Sequence, residues 1–172
     1  LKELIGWLRG SGARRGSDAA RIAAWTVDAG EPADPDALVA LAADAGAGGD
    51  LESMARFGRL AERSGGGAPA AFVHGLALDG LGRHEEAVES LERADHLKGG
   101  NVQTLRALGL AYLEFDSPRE AQRTLEKALT IGPPVAETHL AHARALLALN
   151  RAIDAKRELL AALAASAASA IS

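Results

Sequence analysis

The chain has 172 residues, a net charge of −4 and no cysteine, which is about the length of one domain. Its apolar content is dominated by 39 alanines and 25 leucines, whereas isoleucine and valine together number 11 and aromatic residues number six. This composition favours helices over sheets. The lack of cysteine excludes disulfides, thiolate metal sites and cysteine nucleophiles.

The distribution of charge argues against nucleic acid as a partner. Residues 31–66 carry three basic and seven acidic side chains, whereas a nucleic-acid surface requires a basic face. The most apolar run, residues 159–170, is too short and too rich in serine to span a bilayer. Because the chain begins at Leu1 rather than at methionine, the compartment, cytoplasm or bacterial envelope, is left open.

Two helices are predicted at the N-terminus, within residues 1–33. Residues 1–9 form an amphipathic helix whose apolar stripe includes Leu4, Ile5 and Leu8, and residues 17–29 form the second. The glycine-rich segment 10–16 precedes a helix, but no strand precedes it. We therefore interpret it as a linker and not as a phosphate-binding loop.

From residue 34 onward, helical apolar spacing alternates with short breaker segments, which predicts antiparallel neighbouring helices and no sheet. Ser117, Pro118 and Glu120 form an N-cap signal, as do Asp34 and Pro35. The predicted helices cover residues 36–45, 51–63, 69–80, 84–97, 102–115, 118–131, 135–149 and 152–165.

The sequence repeats itself with a period of about 34 residues. Glycine or alanine recurs at one position, leucine or tyrosine at a second, and leucine at a third, in three successive copies. The aligned sets are Gly75, Gly109 and Ala143; Leu78, Tyr112 and Leu146; and Leu91, Leu125 and Leu159. A weaker copy lies one period further upstream, where Gly48, Phe57 and Leu60 are matched with Gly82, Leu91 and Ala94.

This pattern resembles the tetratricopeptide repeat family. Leu108, Gly109 and Tyr112 stand at the family's Leu-Gly and Tyr positions, and Ala121, Leu125, Ala128 and Pro133 follow in order. The resemblance implies an all-α fold of antiparallel helix hairpins stacked into a right-handed superhelix, an α-solenoid. The expected organisation is one solenoid domain, with N-terminal helices and linker in 1–33, a degenerate repeat in 34–67, repeats in 68–101 and 102–135, and a repeat with a C-terminal tail in 136–172.

The resemblance also implies a function, since repeats of this family present a concave groove lined by the first helix of each pair. The corresponding groove residues here are Phe72, Leu76, Arg106, Leu110, Leu113, Leu140, Arg144 and Leu147. The family's carboxylate clamp is missing, because Phe72, Leu76, Ala107, Glu137 and Ala141 replace its cationic and amide residues. We therefore expect a protein-interaction scaffold or adaptor that binds an apolar peptide or helix of a protein partner.

Two arginines leave the charge of that partner open. Arg106 and Arg144 either bind an acidic residue of the partner or pair internally, Arg106 with Glu137 and Arg144 with Glu114. An exposed internal pair contributes only about 0–1 kcal/mol.

Two alternative functions are considered, namely self-association into a homo-oligomer, and accessory repeats of a larger enzyme. The candidate interface residues are Leu4, Ile5 and Leu8 at one end and Leu160 and Leu163 at the other. The last helix is more apolar on its outward side than its predecessors, so the tail folds back over it, the native chain continues, or another subunit covers it.

The sequence contains no catalytic signature. His139 and His142 lie one helical turn apart, a spacing that can hold a metal ion, but no third ligand is apparent beside them. We expect both histidines to pack against the partner helix. No serine–histidine–aspartate set or paired carboxylates stand out, so the chain is predicted to be no enzyme and to bind neither cofactor nor metal.

Overall fold

The computed structural model describes residues 33–133 and 135–169, together with Ile22, Trp25, Thr26 and Ala29. Leu4, Ile5 and Leu8 of the predicted N-terminal helix lie outside the described residues. Between residues 33 and 169, the described backbone forms eight α-helices and no strand. The all-α prediction is therefore confirmed. The chain divides into two compact units, Leu1–Gly82 and Arg83–Ser172.

The first unit contains three described helices, each of which contacts the other two. Aspartates cap the first two, since the backbone N–H of Ala37 donates to Asp34 and that of Ser53 donates to Asp50. The helices are α1 (Pro35–Ala47), α2 (Leu51–Arg63) and α3 (Gly67–Gly80).

The second unit contains five helices, and each contacts the next along the chain. The first helix of one hairpin also contacts the first helix of the following one, α5 with α7. Consecutive hairpins therefore stack within this unit. The helices are α4 (His84–Leu97), α5 (Val102–Glu114), α6 (Pro118–Ile131), α7 (Ala136–Ala148) and α8 (Ala152–Ser169).

A residue in the left-handed backbone region lies between the first and the second helix of each repeat. The four residues are Gly49, Gly82, Asp116 and Asn150, with φ values of 79°, 74°, 54° and 58°. The interval from Gly49 to Gly82 is one residue shorter than the intervals from Gly82 to Asp116 and from Asp116 to Asn150, which are equal. The starts of the second helices are separated by the same three intervals. The predicted alignment of the weakest copy is therefore wrong by one residue, because Gly49 and not Gly48 matches Gly82.

The one-residue shift carries into the core of the first unit. The predicted alignment matches Phe57 with Leu91 and Leu60 with Ala94, yet Phe57 and Leu60 are only half-buried. The buried residues of α2 include Gly58 and Ala61, which lie one position further along the chain. The first hairpin thus has the same order of helix, left-handed residue and helix, at a spacing that is shorter by one position.

Small residues bring paired helices close together in the second unit. A Cβ at Gly109 of α5 would lie 2.7 Å from Cδ2 of Leu125 on α6, closer than real side chains approach. Leu125 is fully buried in a cluster with Ala121, Ala141 and Ala145. The core is therefore made chiefly of alanine and leucine in close-packed helices.

Two helix-end predictions differ from the structure. Ser117 occupies the N-cap position of α6 but makes no capping hydrogen bond, and its hydroxyl donates to the carbonyl of Phe115 at 3.4 Å. Helix α8 continues to Ser169, four residues beyond its predicted end. Up to that residue the tail extends the helix, so it does not fold back over it.

Candidate binding surface

Six of the predicted groove residues lie on α5 and α7, the two contacting first helices of the second unit. Arg106, Leu110 and Leu113 are spaced by four and three residues, which places them on one face of α5. Leu140, Arg144 and Leu147 repeat this spacing one period later on α7. We call these six residues the first-helix surface.

Leucine and arginine alternate between the two helices of this surface. Arg106 on α5 holds the same repeat position as Leu140 on α7, and Leu110 holds that of Arg144. Leu110 and Leu113 are half-buried and pack against the cluster that contains Leu125. Leu140 and Leu147 are 46% and 52% exposed. The surface therefore offers apolar area that the second unit leaves open to solvent.

The two arginines of the surface differ in their partners. Nη2 of Arg144 donates to Oε1 of Glu114 at 2.9 Å, which links α7 to the end of α5. This predicted internal pair is confirmed. The pair predicted between Arg106 and Glu137 does not form, since Arg106, although half-buried, has no ion-pair partner among the described residues.

Phe72 and Leu76 lie on α3 in the first unit. By repeat register, Phe72 is equivalent to Arg106 and Leu76 to Leu110. Both are half-buried, and Leu76 packs against a cluster that includes Ala42, Met54 and Ala77.

Helix α8 exposes the two predicted interface leucines and one further apolar residue. Leu160 and Leu163 are 58% and 68% exposed, as their candidacy for an interface requires, and Ile153 is 83% exposed. Sequence reasoning overlooked Ile153 because its counterparts in earlier repeats, Arg119 and Glu85, are charged.

The predicted packing of His139 and His142 is accompanied by a carboxylate that the sequence did not suggest. Nδ1 of His139 lies 2.7 Å from Oε2 of Glu158, and Nδ1 of His142 lies 3.5 Å from the same oxygen. The expectation that no acidic residue stands beside the histidines is therefore wrong. His142 and Glu158 are each eight residues from the turn residue Asn150, and this symmetry is the signal for contact across an antiparallel hairpin.

This cluster was also compared with the geometry that a metal ion requires. Across the described positions, no group of three or more histidine or acidic side chains has the geometry to hold a metal ion. Neither nitrogen of His142 has a hydrogen-bond partner within the described part of the chain. The histidines and Glu158 therefore join α7 to α8.

No helix in the described part of the chain is long and apolar enough to cross a membrane.

Comparison with known proteins identifies the repeats. Residues 68–99 match the family model of the tetratricopeptide repeat. A crystal structure of MamA resembles the chain with a TM-score of 0.80 at 19% identity, over 91% of this chain and 92% of that one. MamA from residue 41 onward, from Desulfovibrio magneticus RS-1, gives a TM-score of 0.76 at 14% identity, over 97% and 93%. No curated protein sequence gives a match.

The fold and the matched segment together define the class. The chain is an all-α protein of stacked helix hairpins. Residues 68–99 match the tetratricopeptide repeat, and the other helix pairs share the helix register of that segment. The family is one of protein-interaction scaffolds, so the matched segment supports a scaffold for protein partners as the class of function.

Proposed function

We propose that the first-helix surface binds an apolar segment of a partner protein, with an acidic residue of that segment at Arg106. The observation that carries the proposal is the unequal pairing of the two arginines. The carboxylate of Glu114 offsets the charge of Arg144, whereas Arg106 has no such partner among the described residues.

The leucines of the surface supply the apolar part of the binding energy. Leu140 and Leu147 on α7 are about half exposed. Leu110 and Leu113, which belong to the same surface on α5, are half-buried. Apolar contact is worth about 25 cal/mol per Å² removed from water. An apolar side chain of a partner that covers these leucines therefore gains affinity without displacing an existing contact.

Charge supplies the orientation of the bound segment. A guanidinium group binds a carboxylate through two parallel hydrogen bonds. Arg106 is half-buried among the residues of the surface, so a carboxylate bound there is partly shielded from water. The partner of this proposal is a peptide or helix with apolar residues around one aspartate or glutamate. Phe72 and Leu76 hold the repeat positions of Arg106 and Leu110 on α3 of the first unit, so their substitution tests that unit separately.

The experiment is selection of peptides from a display library, followed by measurement of their dissociation constants. We expect enriched peptides to combine apolar residues with an acidic residue. Arg106→Glu should weaken their binding by more than about 2 kcal/mol, a typical loss for a desolvated charge pair, and Leu147→Glu should weaken it similarly. Arg144→Glu should have a smaller effect, since Arg144 is already paired.

Arg119→Glu is the matched control, because Arg119 is an exposed arginine of α6 outside this surface. Circular dichroism checks that each variant keeps its helices. Unchanged affinity in Arg106→Glu with lost affinity in Leu147→Glu would reject the arginine anchor and keep the apolar surface. Unchanged affinity in both would reject the proposal.

A further inference from the structure

Helix α8 carries two apolar stripes, and only one of them is covered. Ala155 and Ala162 are buried at 0% and 4% exposure, and Ala155 packs with Ala143 and Leu146 of α7. The second stripe consists of Ile153, Leu160, Leu163 and Ala167, all of which are exposed. We call this set the outer stripe of α8.

Comparison with the preceding repeat shows what the outer side of α8 lacks. Leu125 of α6 and Leu159 of α8 hold the same repeat position, yet Leu125 is fully buried and Leu159 is 40% exposed. Helix α7 follows α6 and packs against it. In addition, Leu160 replaces Glu126, so that α8 is apolar where α6 is charged.

The spacing of the outer stripe is that of a helix–helix seam. Ile153, Leu160 and Ala167 are seven residues apart, and Lys156 and Leu163 stand at the other heptad position between them. Apolar residues at these two positions of a heptad pack one helix lengthwise against another.

Lys156 selects the orientation of that second helix. Side by side in parallel, two copies of α8 would place Lys156 of one copy against Lys156 of the other, an unfavourable pairing of like charges. In the antiparallel arrangement centred between Leu160 and Leu163, each Leu160 meets a Leu163 of the other copy, and Lys156 meets Ala167.

The antiparallel arrangement also places charge favourably. Lys156 and Arg157 then lie beside residues 164–169 of the other α8, a segment without charged side chains. The small side chain of Ala167 leaves room for the stem of Lys156.

From these observations we infer that the chain forms a homodimer through antiparallel packing of the outer stripes of α8, a contact separate from the proposed peptide-binding surface. The occupant is a second copy, because in this orientation the stripe pairs leucine with leucine and keeps the two lysines apart.

The test is sedimentation equilibrium of the whole chain over a concentration series. We expect a dimer whose dissociation constant rises at least about 30-fold in Leu160→Glu, from the loss of about 2 kcal/mol of apolar burial. The variant should fold, since α6 carries a glutamate at the same repeat position. Leu97→Glu is the matched control, because Leu97 is 63% exposed in the same unit but lies on α4, and it should leave the dimer intact.

Cysteine cross-linking tests the orientation, since the chain has no cysteine of its own. With a short bis-maleimide, Leu163→Cys should cross-link to its copy and Ile153→Cys should not. In the antiparallel pair the two Ile153 positions are separated by about 17 residues along the helix axis, about 25 Å at 1.5 Å per residue. Efficient cross-linking of both variants would indicate parallel helices and overturn the inference.

Three further outcomes would overturn it. The first is a wild-type chain that stays monomeric throughout the series, and the second is a Leu160→Glu variant that dimerises as wild type does. The third is a monomer that binds vesicles of anionic phospholipid and loses this binding in Leu160→Glu, which would assign the stripe to a lipid surface. Peptide binding by the first-helix surface is measured separately, so failure of one proposal leaves the other standing.

Discussion

The hydroxyl of Tyr112 on α5 donates a hydrogen bond to Oε1 of Glu92 on α4. Burial, this hydrogen bond and the charges of Glu92 and Glu120 raise the pKa of Tyr112 above its usual value of 10.0. The tyrosine thus joins the second helix of one repeat to the first helix of the next.

This link makes stability depend on pH in the alkaline range. Because the pKa is higher in the folded chain, the tyrosine of the unfolded chain ionises first as the pH rises past 10. The contribution of Tyr112 to the free energy of unfolding is therefore complete below pH 10 and is lost as the pH rises further. Urea unfolding at several pH values should show a steeper loss for the wild type than for Tyr112→Phe.

At neutral pH, Tyr112→Phe should lower the free energy of unfolding by about 1–2 kcal/mol, since a hydrogen bond to a charged group is lost. The chain has no other tyrosine, so the rise in absorbance near 295 nm that accompanies tyrosine ionisation follows this residue alone. Parallel pH profiles of the two proteins above pH 10 would contradict the stated role of Tyr112.

The contact between Gly109 and Leu125 predicts a steric effect. Gly109→Ala should lower the free energy of unfolding by about 1–3 kcal/mol, because the added methyl group overpacks a closed helix pair. Thermal or urea unfolding measures this change. In the double variant with Leu125→Ala, the two effects should sum to less than their separate values, because the smaller side chain makes room. If the two changes in the free energy of unfolding simply add, the effect of Gly109→Ala comes from helix propensity and not from contact with Leu125.

The left-handed turn residues predict opposite responses to glycine and alanine. Gly82→Ala should lower the free energy of unfolding by about 1 kcal/mol, since φ is 74° and the surrounding space is open. Asp116→Gly should not lower it, because glycine adopts this conformation without strain. Gly99→Ala, at a glycine outside the left-handed region, is the control. An equal loss in all three variants would reject the conformational explanation.

A buried hydroxyl on α7 predicts a stabilising substitution. Thr138 is 1% exposed, and its Oγ1 has no hydrogen-bond partner in the part of the chain that is described. Thr138→Val keeps the shape and removes the polar atom, so the free energy of unfolding should rise by about 1 kcal/mol. Thr130→Val is the control, because the hydroxyl of Thr130 donates to the carbonyl of Glu126. A lower melting temperature for Thr138→Val would show that the hydroxyl is satisfied in solution.

The helices were predictable because their limits are set by local chemistry. Pro118 begins α6, Gly132 follows its last residue, and Asp34 caps α1 as expected. The repeat period was readable from small and large residues that recur in register. At Gly48 and Gly49 the composition allowed two alignments, and only the backbone conformation distinguishes them.

Side-chain partners were less predictable, because they depend on distances between helices. The sequence suggested two arginine–glutamate pairs with equal reason, and the structure forms the one with Arg144 and not the one with Arg106. The position of Glu158 beside His139 was likewise not expected, because its signal is a symmetry about the turn at Asn150 and not a spacing within one helix. Where a carboxylate lies relative to a cation follows from the packing of two helices, which a single helix pattern does not encode.

The division into two compact units gives each unit its own optical signal. Both tryptophans of the chain, Trp7 and Trp25, belong to the unit Leu1–Gly82, and its one tyrosine belongs to the unit Arg83–Ser172. Tryptophan fluorescence therefore reports on the first unit, and the rise in absorbance near 295 nm on tyrosine ionisation reports on the second. An alkaline denaturation series followed by both signals distinguishes one cooperative transition from two without labelling the protein.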